Sequence, residues 1–303
     1  MKTKIRIIPA LLIAATIFTA CSDEEEAPVI VSNNIVDVAQ EAGSFNILLE
    51  AAQKAGLANF LATEDDLTVF APSDTAFTAL LSDLGISSLD DIPAADLAQI
   101  LSYHVIGSEV RSTDLSTGYV PTLASFDGNS MSMYVMVGDD VAINGNAKVT
   151  TADIQADNGV IHVVDKVILP PSVVDFALAN ENFTTLVEAV VKAGLVEALS
   201  TAGPFTIFAP TNDAFDELFD QLGISGVDDL TAEQLAPILT YHVVPGNIVS
   251  TELSNGEVGT LNEGSSLTID LSNGVLINES EVIAADIQGT NGVIHVIDQV
   301  LLP

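Results

Sequence analysis

The chain repeats itself at the scale of a domain. FAPSDTAF at Phe70–Phe77 returns as FAPTNDAF at Phe208–Phe215, and YHVI at Tyr103–Ile106 returns as YHVV at Tyr241–Val244, each displaced by 138 residues. NGVIHVVDKVILP at Asn158–Pro170 returns as NGVIHVIDQVLLP at Asn291–Pro303, displaced by 133. A period of this length exceeds the roughly 20–50 residues of solenoid units, which need neighbours to bury a face. It matches the roughly 100–150 residues of a domain with its own core. We therefore expect two tandem domains of one fold, residues 32–170 and 171–303, behind a signal at 1–20 and an acidic linker at 21–31.

The first twenty residues read as an export signal. Lys2, Lys4 and Arg6 precede the apolar run Ile7–Phe18, which is too short for a membrane span of about 20 residues. Cys21 is the only cysteine, and FTAC at 18–21 resembles a bacterial lipobox. That resemblance implies that Cys21 becomes the lipid-bearing first residue of the mature protein. A plain signal cleaved near Ala20, leaving a free thiol, is the alternative. The run Ser22-Asp23-Glu24-Glu25-Glu26 reads as a solvated linker. It also resembles the signal that sends some lipoproteins to the outer face of the outer membrane. We expect an exported protein, lipid-anchored to the outer membrane and facing outward.

Removing the signal leaves Lys54, Arg111, Lys148, Lys166 and Lys192 against 42 acidic residues. Such a field repels polyanions, so nucleic acid is excluded as a partner, and the membrane is reached through the lipid anchor only. The apolar fraction of 48% supports sizeable cores, which hold without disulfides.

Each copy opens with helical periodicity. Ile35–Gly43 is one expected helix; a second follows Ser44 as N-cap and stops at Gly56. Leu67–Phe70 and Phe205–Phe208 read as short strands ended by Pro72 and Pro210. Ser73-Asp74 and Thr211-Asn212 offer oxygens to cap the helices carrying Phe77 and Phe215. Further helices, Ala94–Leu101 and Ala232–Leu239, run into the YH pairs. Beyond them β-branched residues alternate with polar ones between Gly-Asn, Asn-Gly and Asp-Gly turns, as at Met131–Val137, Val141–Ile143 and Val149–Ile154. Gly159–Leu169 is apolar on both faces and reads as a central strand. The expected class is α+β, a small antiparallel sheet packed against a helical cluster.

The FAPSDTAF, YH and NGVIHVVDKVILP blocks, in that order and twice over, resemble the fasciclin-type FAS1 domain. The resemblance implies a β-sandwich or wedge flanked by helices, found in secreted or membrane-anchored adhesion proteins, with no cofactor and no enzymatic activity. It also marks Tyr103-His104 and Tyr241-His242 as the YH motif associated with adhesion. Asp153-Ile154 and Asp286-Ile287 are similar to the Asp-Ile core of motifs through which some animal FAS1 domains engage integrins. The flanking residues depart from that motif.

Read from the residues alone, all four histidines, His104, His162, His242 and His295, fall in the repeated blocks. His162 and Asp165 are three apart on a strand and point to opposite faces, and no GxSxG elbow occurs. Metal spacing such as HxxxH or HxH is absent, and Asp139-Asp140 near Asn144 and Asn146 lacks an EF-hand spacing. The alternative to a binding role is structural: the histidines are buried and neutral, Ile154 and Ile287 are core residues, and the aspartates order a turn. The function expected is a lipid-anchored surface adhesin. It would bind an unidentified cell-surface or matrix protein or polysaccharide, or a second copy of itself. The alternative function is an accessory lipoprotein that captures a glycan or small ligand for an uptake system. Sugar platforms favour aromatics, and the chain has no tryptophan and four tyrosines.

Overall fold

The computed structural model describes residues 33–201 and 203–303. The signal, Cys21 and the acidic run lie outside them. In the first domain α1 (Ile35–Ala42), α2 (Asn46–Lys54) and α3 (Ala58–Thr63) lead into β1 (Leu67–Pro72). Then come α4 (Asp74–Asp83), α5 (Ala94–Tyr103), β2 (Val105–Ile106) and β3 (Gly118–Phe126). The domain closes with β4 (Asn129–Val137), β5 (Val141–Ile143), β6 (Ala147–Ala156) and β7 (Gly159–Val164). The second domain repeats this order. Its helices are α6 (Val173–Ala179), α7 (Thr184–Lys192), α8 (Val196–Thr201), α9 (Asn212–Leu222) and α10 (Ala232–Tyr241). Its strands are β8 (Phe205–Pro210), β9 (Val243–Pro245), β10 (Gly256–Gly259), β11 (Ser266–Asp270), β12 (Leu276–Ile277), β13 (Ser280–Gln288) and β14 (Gly292–Ile297).

Each domain is built on a seven-stranded sheet, ordered β2-β1-β7-β6-β5-β4-β3 in the first and β10-β11-β12-β13-β14-β8-β9 in the second. The expectation of a purely antiparallel sheet is corrected: β1 and β7 run parallel, with Val69 opposite Ile161, and so do β8 and β14, with Ile207 opposite Ile294. The central strand also stops at Val164, short of the expected Leu169. Its glycine has a steric reason. At Gly159, φ is +154° and a Cβ would lie 2.0 Å from the Leu67 carbonyl oxygen; Gly292 stands in the same relation to Phe205, at 2.2 Å.

Register shifts in β6 at Val149/Thr151 and Thr151/Ile154 bend the sheet, since bulges increase local twist and re-aim side chains. Two cores result. One lies between helices and sheet, around Leu48, Ala52, Phe77, Leu97 and Ile161. The other lies within the folded sheet, around Phe70, Tyr103, Met131, Met133, Ile143 and Val164. Each buried Phe or Met contributes about 1.5–3 kcal/mol.

Helix starts show where local reading fell short. Ser44 does not cap α2, which has no cap from its own flank. Its Ile47 N–H instead donates to the Asp74 carboxylate at 2.8 Å, and Thr185 N–H donates to Asn212 Oδ1 at 3.0 Å in the second domain. Ser73 and Thr211 do cap their own helices. The FAPSD and FAPTN blocks therefore terminate two helices each. Capping boxes at Asn34/Asp37 and Ser172/Asp175 open α1 and α6.

The domains meet through β3 and β4 of the first and α6 and β13 of the second. Tyr119 packs edge-on against Phe176, centroids 5.5 Å apart, and accepts a hydrogen bond from Asn180 Nδ2 at 3.1 Å. Ser132 Oγ accepts from Gln288 N–H at 3.0 Å and donates to the Asp286 carbonyl at 3.3 Å. Gly145, at φ +69°, approaches so closely that a Cβ would stand 3.2 Å from Ala179 Cα. The junction Pro170-Pro171-Ser172 is itself bonded, Pro171 accepting from Thr290 N–H at 2.9 Å. A joint tied at this many points holds the domains as one body.

Candidate functional site

The residues singled out in the sequence gather at two places per domain. At the first, the YH pair closes α5. Tyr103 and His104 are 0% and 1% exposed, and Tyr241 and His242 are 6% and 2%. Tyr103 OH donates to the Ser132 carbonyl at 2.6 Å and accepts from Asn144 Nδ2 at 2.9 Å. Tyr241 repeats this with Ser266 and Asn278. His104 Nδ1 donates to the Ile100 carbonyl at 2.7 Å, while its Nε2 accepts from Ile168 N–H at 2.8 Å. His242 does the same between Ile238 and Leu301. A main-chain N–H can only donate, so both rings are held as the Nδ1–H tautomer. Burial lowers both pKa values to about 4. The YH histidines bolt a helix end to the tail after the last strand, the tyrosines tie it to the sheet and its turns, and all four side chains are buried.

At the second place, residues of three neighbouring strands pin one exposed strap that follows β2. Thr68 of β1 donates to the Ser108 carbonyl at 2.6 Å and accepts from Val110 N–H at 2.7 Å. His162 of β7 donates from Nε2 to the Val110 carbonyl at 2.9 Å and accepts at Nδ1 from Asp153 N–H at 3.2 Å. Asp153 of β6 then takes Ser112 N–H at 2.8 Å and the Ser112 hydroxyl on its carboxylate. These Ser112 bonds hold the Asp153 pKa below the ordinary value. Thr206, His295 and Asp286 pin residues 246–250 in the same way. Asp153 and Asp286 sit at φ 61° and 62°, a left-handed conformation that Asp tolerates better than most L residues.

The two straps differ in what they present. Asp153 is exposed and Ile154 half-buried, and beside them Arg111 pairs with Glu109 at 2.9 Å. The second domain has Val249 and Asn247 at those positions, 7% and 9% exposed. Ile287 is buried at 2%, and Asp286 opens into a cleft of about 350 Å³ whose far wall is Tyr119, Val120 and Pro121 of the first domain. Copy two thus sets its Asp-Ile corner beside copy one; Asp286 is exposed as Asp153 is, but its Ile287 is buried where Ile154 is half-buried.

Neither nitrogen of any histidine is left over for acid-base work, because each already holds main chain. Among the described residues no group of three His, Cys, Asp or Glu could hold a metal ion. The Asp139–Asn146 turn is committed too: Asp140 pairs with Lys148 at 3.1 Å and Asn144 holds Tyr103 and Tyr134. Asn158 escaped notice in the sequence. It accepts from Ile35 N–H at 2.9 Å and donates to the Leu61 and Glu64 carbonyls, joining α1 and α3 to the strand. Its identity in both copies, just before the required glycine, was the available signal.

A family model described as the Fasciclin domain matches residues 43–170 and 181–303. Protein sll1483 of Synechocystis sp. is 51% identical over 133 residues, 44% of this chain and 73% of that protein. Transforming growth factor-beta-induced protein ig-h3 of Sus scrofa is 32% identical over 261 residues, 83% of this chain but 35% of that longer protein. A solved FAS1 domain pair from the insect cell adhesion molecule fasciclin I covers 87% of this chain and 98% of its own, at TM-score 0.55 and 21% identity, a likeness of fold. Two matched domains, each with its own FAP, YH and NGVIH blocks in the same structural places, make this chain a member of the fasciclin (FAS1) domain family.

Proposed function

We propose that this protein is a surface adhesin, anchored by lipid on Cys21 to the outer membrane, which engages cells or matrix polymers. Its contact face is the pinned strap of the first domain, with Glu109, Arg111, Asp153 and Ile154 at its centre. The observation that carries this reading is the asymmetry of the two Asp-Ile corners. The first keeps exposed charged residues beside a rigidly held carboxylate; the second, whose carboxylate is exposed as well, exchanges them for the buried Val249 and Asn247 and lies across a cleft from its neighbour. Pinning keeps the first corner in shape, so binding there loses little conformational entropy. Family membership supports an extracellular interaction role, and the fold-related pair comes from an insect cell adhesion molecule. Among the described residues no helix is long and apolar enough to cross a membrane, so attachment in this reading falls to the lipid.

The test coats beads with residues 33–303 and offers them sister cells, matrix proteins and polysaccharides at low and high salt. Selective adhesion that Asp153→Asn weakens and Asp286→Asn does not is the expected result. Failure on every surface by folded protein overturns the adhesin. Loss of palmitate labelling in Cys21→Ser, with surface proteolysis on whole cells, checks the anchor and its orientation.

A further inference from the structure

The domains also differ inside. Where α6, α7 and α8 pack on the sheet, the second domain has a cavity of about 100 Å³; the same place among α1, α2 and α3 of the first has about 20 Å³. Its wall includes Val173, Ala177, Phe183, Val190, Ile207 and Ile294. His242 is the one polar residue in that wall, and both its ring nitrogens are already bonded to main chain. A polar ligand would give up hydration there for nothing in return. Apolar space behaves otherwise: a cavity of about 150 Å³ lined by such side chains stays dry and takes benzene or xenon.

Several sequence differences separate the copies at this place. Leu178 and Val191 belong to the wall yet are 62% and 59% exposed, so they form its mouth. The first domain has Gln40 and Gln53 there, both exposed. Deeper in, Val173 and Val187 replace the larger Ile35 and Leu49, while Val190 and Ile207 replace the smaller Ala52 and Val69. The two exchanges at the mouth make the entrance apolar, and the shorter side chains at 173 and 187 leave room behind it. We propose that the second domain binds a small uncharged apolar molecule, an alkyl or aryl group near the size of benzene, with any tail leaving past Leu178 and Val191. The net charge of −34 disfavours anionic amphiphiles. This binding is independent of adhesion at Asp153.

The test is a titration of the full chain, labelled at its Val, Leu and Ile methyls, with toluene and separately with benzoate, followed by NMR. Toluene should shift Leu186, Val187 and Val190 saturably and leave Leu48 and Leu49 unmoved, while benzoate moves neither set. Val173→Ile, which fills the cavity, and the surface pair Leu178→Gln/Val191→Gln should each weaken toluene binding about fivefold or more. Equal shifts in both domains, no saturable shift in the second, or unchanged affinity in these variants would overturn the proposal.

Discussion

Asp153 and His162 are joined through the backbone: the Asp153 N–H donates to His162 Nδ1 at 3.2 Å while the Asp153 carboxylate reaches outward to Ser112. One residue thereby links a buried imidazole to an exposed strap. Replacing Asp153 by Ala removes the Ser112 bonds and leaves a Cβ residue at φ 61°. The expected cost is about 2 kcal/mol, against about 1 kcal/mol for Asp153→Gly, which relieves the backbone and loses the carboxylate alone. Urea midpoints of the two variants check this order.

The histidines set a pH dependence opposite to what the acidic surface suggests. His104 and His242 stay neutral in the fold down to about pH 4, whereas the unfolded chain binds protons below about 6.5. Burial also lowers His295. Stability is therefore full above pH 6.5, falls as pH drops through that window, and levels off below about 4. Between pH 7.5 and 5 the loss is about 2 kcal/mol for each YH histidine. Most carboxylates are still ionised at pH 5, so relief of their repulsion comes later. A urea midpoint that rises or holds level over that interval would contradict the buried-neutral assignment.

Tyr103 and Tyr241 should differ on losing their hydroxyls. Each Phe variant leaves a carbonyl and an asparagine without a partner, at about 1–3 kcal/mol. Only Tyr103 bonds Ser132, whose own hydroxyl holds Gln288 and Asp286 of the other domain. Tyr103→Phe should speed hydrogen exchange at the Gln288 amide; Tyr241→Phe should leave it as it was.

Gly145→Val tests the joint. Its side chain would meet Ala179 at 3.2 Å and requires φ +69°. Small-angle scattering should report a larger radius of gyration with each domain still folded, and an unchanged envelope would mean that the contact yields.

The duplicated blocks made two domains, the FAP and YH helices and several strands legible, because each block carries its own periodicity and caps. Non-local features were not. Asp74 caps a helix 27 positions earlier, so Ser44 looked like the cap. The parallel pairing of β1 with β7 joins residues some ninety apart, which no local pattern encodes. Strand β3 carries Pro121 in its interior, which reads against a strand; it lies at the sheet edge, where proline costs no ladder bond. His162 was legible as buried, but its role depended on a distant main-chain carbonyl, Val110.

Val249 and Asn247, standing where the first domain has Arg111 and Glu109, bear on valency. A duplicated adhesive unit would ordinarily offer two grips. Here the second lacks the charged pair and lies across a cleft from the first domain, so under the proposed function each chain would count as monovalent at this corner. Strong attachment would then depend on how many chains crowd one patch of membrane, and adhesion should rise steeply with surface density.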